Sequence, residues 1–569
     1  MRTATLVLAG LLSLVHVGAG VGAGRRHREA LQRQEQIRRR QLDAKTREPP
    51  YESSGRRQSR GRFLNENTMQ FAVNGSGIPD VDFDVGESYA GSLPISAEPG
   101  EESSLFFWFF PTTNQDSGKD ILIWLNGGPG CSSLEGLLQE NGPFLWQYGT
   151  YRPVQNPWSW HTLTNVIWIE QPVGTGFSRG RPTAQNEEDV ARQFNGFWRN
   201  FVDLFGLHGY KVYISGESYA GMYCSYIASA MLDANDTNYY DVTGLMMYDP
   251  SITYDLVQEV LPTAQFVEYW GGLFPFNDTF RQSIRDRDKK CGFSAFIEKH
   301  LVFPPKENLP PPRMFPGRLT NGSYAPECAD LFGDVLDAAG VLNPCFDVYQ
   351  IATTCPVLWD VLGFPGSDPY IPHGAKVYFN RTDVKMALHA PLDVAWEVCT
   401  DDPPVFVNWT DTSPPPTQHA LPRVIDATQN VLIAHGALDM VLMANGTLLA
   451  LQNMTWGGRL GFQTRPDRPF YVPRSWLSGD SLATSAGAGV FGSFVTERGL
   501  TYVGVALAGH MIPQYAPAAA YRQLEYLLGR VDCLNCTVPF TTDGQPPPQS
   551  LDPLGAGTAP QGWSDDSLI

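Results

Sequence analysis

Gly216-Glu217-Ser218-Tyr219-Ala220-Gly221 follows the short apolar run Lys211-Val212-Tyr213-Ile214-Ser215. A strand that runs into Gly-x-Ser-x-small and then a helix makes a very tight turn. Its serine hydroxyl stands exposed at the top of a sheet, where it can act as a nucleophile. Small residues at 216, 220 and 221 let the strand and helix backbones pass closely. The fifth position is Ala220, where the general motif has glycine.

A serine hydroxyl needs a base, and the base needs an orienting carboxylate. In the α/β-hydrolase arrangement this elbow belongs to, the chain order is Ser, then Asp or Glu, then His. Six histidines follow Ser218, at 300, 373, 389, 419, 435 and 510. Two have strand-then-turn contexts: Val431 to Asp439, an apolar strand opening into Gly436 with an acid at its end, and Tyr502 to His510, a strand ending in Gly-His. Asp439 is therefore expected to orient His510, the base. His435 precedes Asp439 on the same turn, the wrong order for that role. The developing oxyanion needs two donors. One is expected to be the N–H of Tyr219, the other to come from the glycine-rich loop after Ile121-Leu122-Ile123-Trp124-Leu125.

These pieces imply an α/β fold with a mixed, mostly parallel central sheet flanked by helices. Ser218 and Asp439 are 221 positions apart, more than one or two strand–helix units occupy at roughly 30 residues each. An insertion is expected over the sheet at about 250–375, rich in Pro and Cys.

With those residues in view, the chain resembles the serine carboxypeptidases, and among them the fungal carboxypeptidase S1-like enzymes. The matching pieces are Trp124 to Ser133, Glu140 to Pro143, Asn156 to Trp160, Glu170 to Ser178, Ser215 to Gly221, Gly436 to Asp439 and Gly509 to Met511. They keep the family's order across most of residues 70–530. Glu170 departs from the family's usual Asp. The resemblance implies a triad of Ser218, Asp439 and His510, with Gly128 and Tyr219 as oxyanion donors. It also implies that Asn126, Gly127, Glu140 and Glu217 hold the C-terminal carboxylate of a peptide. A cationic clamp would be the ordinary device for that anion. Two close carboxyls cannot both ionise cheaply, so one keeps its proton and can donate to the substrate.

The same resemblance implies disulfides Cys131–Cys399, Cys291–Cys328 and Cys345–Cys355 among the nine cysteines. Cys533 and Cys536 are read as a fourth pair, though Cys-x-x-Cys also fits a redox or metal motif. No second Cys/His pair completes a zinc site, so neither metal nor cofactor is expected. Cys224, on the elbow helix, is left over as a buried thiol.

The N-terminus carries Arg2, an apolar run from Leu6 to Val17 and small residues to Gly24, which reads as a secretory signal over 1–24. Residues 25–62 hold 13 Lys/Arg against 5 Asp/Glu. Such a tract can bind nucleic acid or anionic membranes, but beside a signal a removable pro-segment with arginine processing sites is expected. Without residues 1–62 the net charge goes from −18 to −27, which disfavours nucleic acid as a partner. Sequons at Asn74, Asn235, Asn277, Asn321, Asn380, Asn408, Asn445 and Asn453 are glycosylation candidates. Asn535 lies inside the Cys-x-x-Cys pair. The domain is expected over 63–540, with a disordered tail at 541–569.

The expectation is a secreted or vacuolar carboxypeptidase, without a membrane anchor, acting at acidic pH on peptides and proteins with a free C-terminus. An acyltransferase on the same fold is the alternative; an inactive binding protein is a lesser one.

Overall fold

The computed structural model describes residues 61–114, 117–363, 375–400, 404–475 and 486–543. The expected signal, nearly all of the basic segment, residues 364–374 of the expected insertion and 544–569 of the expected tail lie outside them.

Chain order runs β1 Ala72–Val73, β2 Ser88–Pro94, β3 Ser104–Phe110, β4 Asp120–Leu125, β5 Phe144–Leu145, β6 Val154–Gln155, β7 Asn165–Glu170, β8 Lys211–Glu217, β9 Asp241–Tyr248, β10 Val431–Gly436, β11 Thr455–Trp456, β12 Arg459–Leu460, β13 Arg468–Val472, β14 Gly489–Glu497 and β15 Leu500–Val505. Eleven of these make one sheet in the order β1-β2-β3-β7-β4-β8-β9-β10-β15-β14-β13. The six from β7 to β15 are parallel, and antiparallel strands close both edges.

Asp-Ile-Leu-Ile-Trp-Leu of β4 is buried at every position, as a strand covered on both faces must be. Side chains alternate between the faces. Ile121, Ile123 and Leu125 pack with Phe197 and Phe201 of helix Glu187–Phe205 and with Tyr223 and Ile227 of helix Ala220–Ala234. Leu122 and Trp124 pack with Tyr521 and Leu524 of helix Pro517–Leu527 on the other side.

Between β9 and β10 a helical segment builds its own apolar cluster from residues such as Phe274, Phe293, Leu331 and Val335. Disulfide Cys291–Cys328 links helix Asp278–Cys291 to the approach of helix Leu331–Leu342. The other bonded pairs are Cys345–Cys355, Cys131–Cys399 and Cys533–Cys536, and Cys224 is a buried free thiol. Thr541 donates its N–H and its hydroxyl to Glu525 Oε1, both at 2.6 Å. This keeps the chain tied to the fold where the tail was expected to begin. Among the described residues no helix is long and apolar enough to cross a membrane.

Candidate active site

Ser218 joins β8 to helix Ala220–Ala234 with nothing between but Tyr219. Its φ is 61°, a left-handed conformation that costs an L residue about 1–2 kcal/mol. Hydrogen bonds hold it there. The Ser218 N–H donates to the Tyr248 carbonyl at 3.0 Å, and its own carbonyl accepts from Gly221 and Ser251 N–H, both at 2.9 Å. The end of β4 rests directly on this turn. A Cβ on Gly127 would lie 2.5 Å from the Tyr219 nitrogen and 2.7 Å from Ser218 Cβ, so only glycine allows the approach. Gly128 follows with φ 108°. Gly128, Ser218, Tyr219 and His510 line one cavity of about 890 Å³.

β10 and β15 are parallel neighbours with Gly436 opposite Val505. The turns that follow them therefore emerge side by side, which brings Asp439 to His510. His510 Nδ1 lies 2.8 Å from Asp439 Oδ2. Asp439 is completely buried and His510 2% exposed. Asp439 Oδ1 accepts the N–H groups of Val441 and Leu442 at 2.8 and 3.3 Å. An ionised carboxylate only accepts, so Nδ1 carries the hydrogen and Nε2 keeps its lone pair. Nε2 has no partner among the described residues. His435, by contrast, is buried with Nε2 against the Leu442 carbonyl. Burial pushes it down to about 4, and it does not line the cavity.

On the other side of Ser218, Asn126 is the hub of an acid cluster. Its Oδ1 accepts the Trp124 indole N–H at 2.7 Å. An indole can only donate, so the amide NH2 must face the other way. There it meets Glu135 Oε2 at 2.7 Å, Glu217 Oε1 at 2.9 Å and Glu140 Oε1 at 3.4 Å. Gly136 makes room, since a Cβ there would lie 2.6 Å from Asn126 Oδ1 and 3.0 Å from Glu140 Oε1. Burial pushes all three glutamates well above the usual carboxyl range, and neighbouring acids push further. Glu217 acts on Glu140, Glu135 acts on Glu217, and Glu140 with Asp360 acts on Glu135. Glu140 and Glu217 are in hydrogen-bonding contact, which requires a proton between them.

Glu170 lies behind the loop. It accepts from the Ser132 hydroxyl, from the Phe177 N–H at 2.5 Å and from the Trp396 indole at 2.9 Å. Burial pushes it up to about 7, against those donors.

The structure thus gathers Asn126, Gly127, Gly128, Glu217, Ser218, Tyr219 and His510 around one cavity. Asp439 stands behind His510, and Glu140 behind Asn126. Two residues were missed from the sequence. Glu135 lines the cavity with Oε1 unpartnered; its only signal was an acid five positions before Glu140. Asp249 lies against Asp439; its signal was an acid ending the apolar run of β9.

The sheet, the elbow and the order of the turns define an α/β-hydrolase. The serine carboxypeptidase family model matches residues 79–530, and the chain belongs to that family of hydrolases. It is 54% identical over 497 residues to a probable serine carboxypeptidase of Arthroderma benhamiae, covering 86% of this chain and 90% of that protein. It is 46% identical over 488 residues to serine-type carboxypeptidase F of Aspergillus niger, covering 83% and 89%. The crystal structure of Kex1Δp, a prohormone-processing carboxypeptidase from Saccharomyces cerevisiae, shares the fold. Its TM-score is 0.59 at 23% identity, over 82% of this chain and 96% of that one.

Proposed function

We propose that the chain releases C-terminal amino acids from peptides and proteins in acidic surroundings outside the cell or in the vacuole, through Ser218, His510 and Asp439. One observation carries this reading. His510 presents an unpartnered Nε2 in the same cavity as Ser218, and that cavity also reaches a buried acid cluster.

His510 Nε2 takes the proton of Ser218 as its Oγ attacks the last peptide carbonyl. The N–H groups of Gly128 and Tyr219 stabilise the oxyanion. His510 returns the proton to the leaving amine, and water then hydrolyses the acyl-enzyme. The substrate's carboxylate rests on the Gly127 N–H, the Asn126 amide and the proton held between Glu140 and Glu217. That proton is retained in acid, which sets the working range.

Residues 1–24 direct secretion and 25–62 form a removable pro-segment. Glycans are placed at Asn74, Asn235, Asn277, Asn321, Asn408 and Asn453, all exposed. Asn380 and Asn445 are half-buried. Asn380 is also bonded through both amide atoms to the Trp396 backbone, at 2.6 and 2.7 Å, so they are poor acceptors.

The test is a mixed peptide pool incubated at about pH 4–6, where the buried glutamates retain a proton. Free-acid peptides should shorten from their C-termini without added alcohol. Turnover that requires a hydroxyl acceptor and yields esters would assign the chain to acyl transfer instead.

A further inference from the structure

Asp249 directly follows β9, with φ 42° and its side chain fully buried. Its N–H donates to the Ala434 carbonyl at 2.9 Å, and its Oδ1 accepts the Gly436 N–H at 2.7 Å. Its Oδ2 has no donor among the described residues. The carboxyl is in hydrogen-bonding contact with Asp439. One oxygen of each acid and a ring nitrogen of His510 lie within 4.8 Å of one another.

Two touching buried carboxyls cannot both ionise cheaply. Asp439 is the one that keeps the charge, because two backbone N–H groups and the His510 imidazole already point at it. Asp249 has a single backbone donor and a bare oxygen. His435 cannot supply the missing proton. Its Nε2 is 3.4 Å from Asp249 Oδ1 and 3.7 Å from Asp439 Oδ2, but that N–H is given to the Leu442 carbonyl.

We propose that Asp249 carries a proton on Oδ2 in the working enzyme and donates it to Asp439, as a positioning residue that completes the donor shell of the acid behind His510. The inference rests on the triad reading above. Burial and the Asp439 charge both favour the protonated acid, and Glu217 adds the same sign. The other ionisable groups around the pair are Tyr248 and Tyr502, held as neutral phenols by burial, Tyr349 against the His510 ring, also kept neutral by burial, and Glu259, which burial pushes up to about 8. Asp347 lies within electrostatic reach of His510. An Asp439 that accepts four hydrogen bonds stabilises an imidazolium less than a bare carboxylate would.

The test is the rate at which a phosphonofluoridate labels Ser218 in the full-length protein, measured against pH. It reports the protonation of His510 without using the peptide-carboxylate site. Asp249→Asn has the same shape, a permanent donor and no charge, so the acid midpoint should stay in place whatever the absolute rate. If Asp249 were ionised, that variant would remove a negative charge and lower the midpoint by about one pH unit. A midpoint displaced in either direction overturns the proposal. Asp249→Leu removes the donor, and the midpoint should rise by about one pH unit. An unmoved midpoint in folded Asp249→Leu also overturns it; should that variant not fold, Asp249→Asn decides alone. Wild-type protein not labelled at Ser218 would defeat the triad reading itself, a result distinct from any shift of midpoint.

Discussion

Two groups of buried carboxyls flank Ser218, and the difference between them is one of donors rather than of residue type. Around Asn126, Glu135, Glu140 and Glu217 have other acids as their nearest charges. One amide has two hydrogens for three carboxyls, so protons have to remain between the acids. Behind His510, Asp439 has two backbone N–H groups and an imidazole aimed at it, and it can hold a charge. The first group can donate to an anion. Asp439 in the second accepts, and so can steady a base. On the proposed reading, side chains of nearly the same chemistry serve recognition on one side and catalytic support on the other.

The largest effect comes from removing the nucleophile between them. Ser218→Ala should lower kcat by roughly 10⁵-fold or more, since triad members act as a unit. Binding of free-acid peptides, measured by calorimetry, should persist because the acid cluster is untouched. Turnover surviving above contaminating wild type would end the proposed mechanism.

Gly127→Ala tests whether the two sides share a hinge. Its Cβ would press on the Tyr219 nitrogen at 2.5 Å, next to the proposed oxyanion donors and the proposed carboxylate site alike. A drop in kcat/KM of roughly 10²–10³-fold is expected, divided between kcat and KM. A change confined to one parameter would show the sides to be independent.

Glu170 is a buried acid with three donors and so lies between the two extremes. Its folded value of about 7 stands above the ordinary 4.5. The folded state therefore holds its proton more tightly than the unfolded chain. The stability this gives is fully present below about pH 4.5 and is lost as pH rises towards 7, about 3 kcal/mol in all. Thermal unfolding of Glu170→Gln should show a lower Tm in acid, where an amide N–H now meets one of the donors. It should also show a correspondingly flatter fall in Tm between those pH values. Equal slopes for variant and wild type would mean that Glu170 titrates normally.

The last effect concerns recognition. If Glu140 and Glu217 share a proton that contacts the substrate carboxylate, KM for free-acid peptides should rise by up to about tenfold per pH unit once that proton is lost. Amidated peptides should show less change. The double variant Glu140→Gln/Glu217→Gln cannot ionise, and its KM should be higher in acid but flatter with pH. Identical KM profiles would remove these glutamates from recognition.

The local parts of this site were legible in the sequence because each is specified over a few residues. The apolar run of β8 ending in Gly-Glu-Ser-Tyr-Ala-Gly dictates a strand, a tight turn and a helix. The Asn-Gly-Gly loop after β4 marks a close backbone approach. Acids and histidines after β10 and β15 lie at strand ends, where parallel sheets place their functional groups. The pairing of Asp439 with His510 follows from two neighbouring strands delivering their turns together. The tertiary structure decided what no local pattern encodes, namely which carboxyls lose water and which donors they then meet. Glu135 reads as an ordinary acid on a short helix until Asn126, fixed by Trp124, turns its amide toward it. Asp249 reads as the end of a strand until β9 and β10 lie side by side and press it against Asp439. Protonation is set by desolvation and by neighbours brought from nearly two hundred residues away, and those are properties of the packed chain alone.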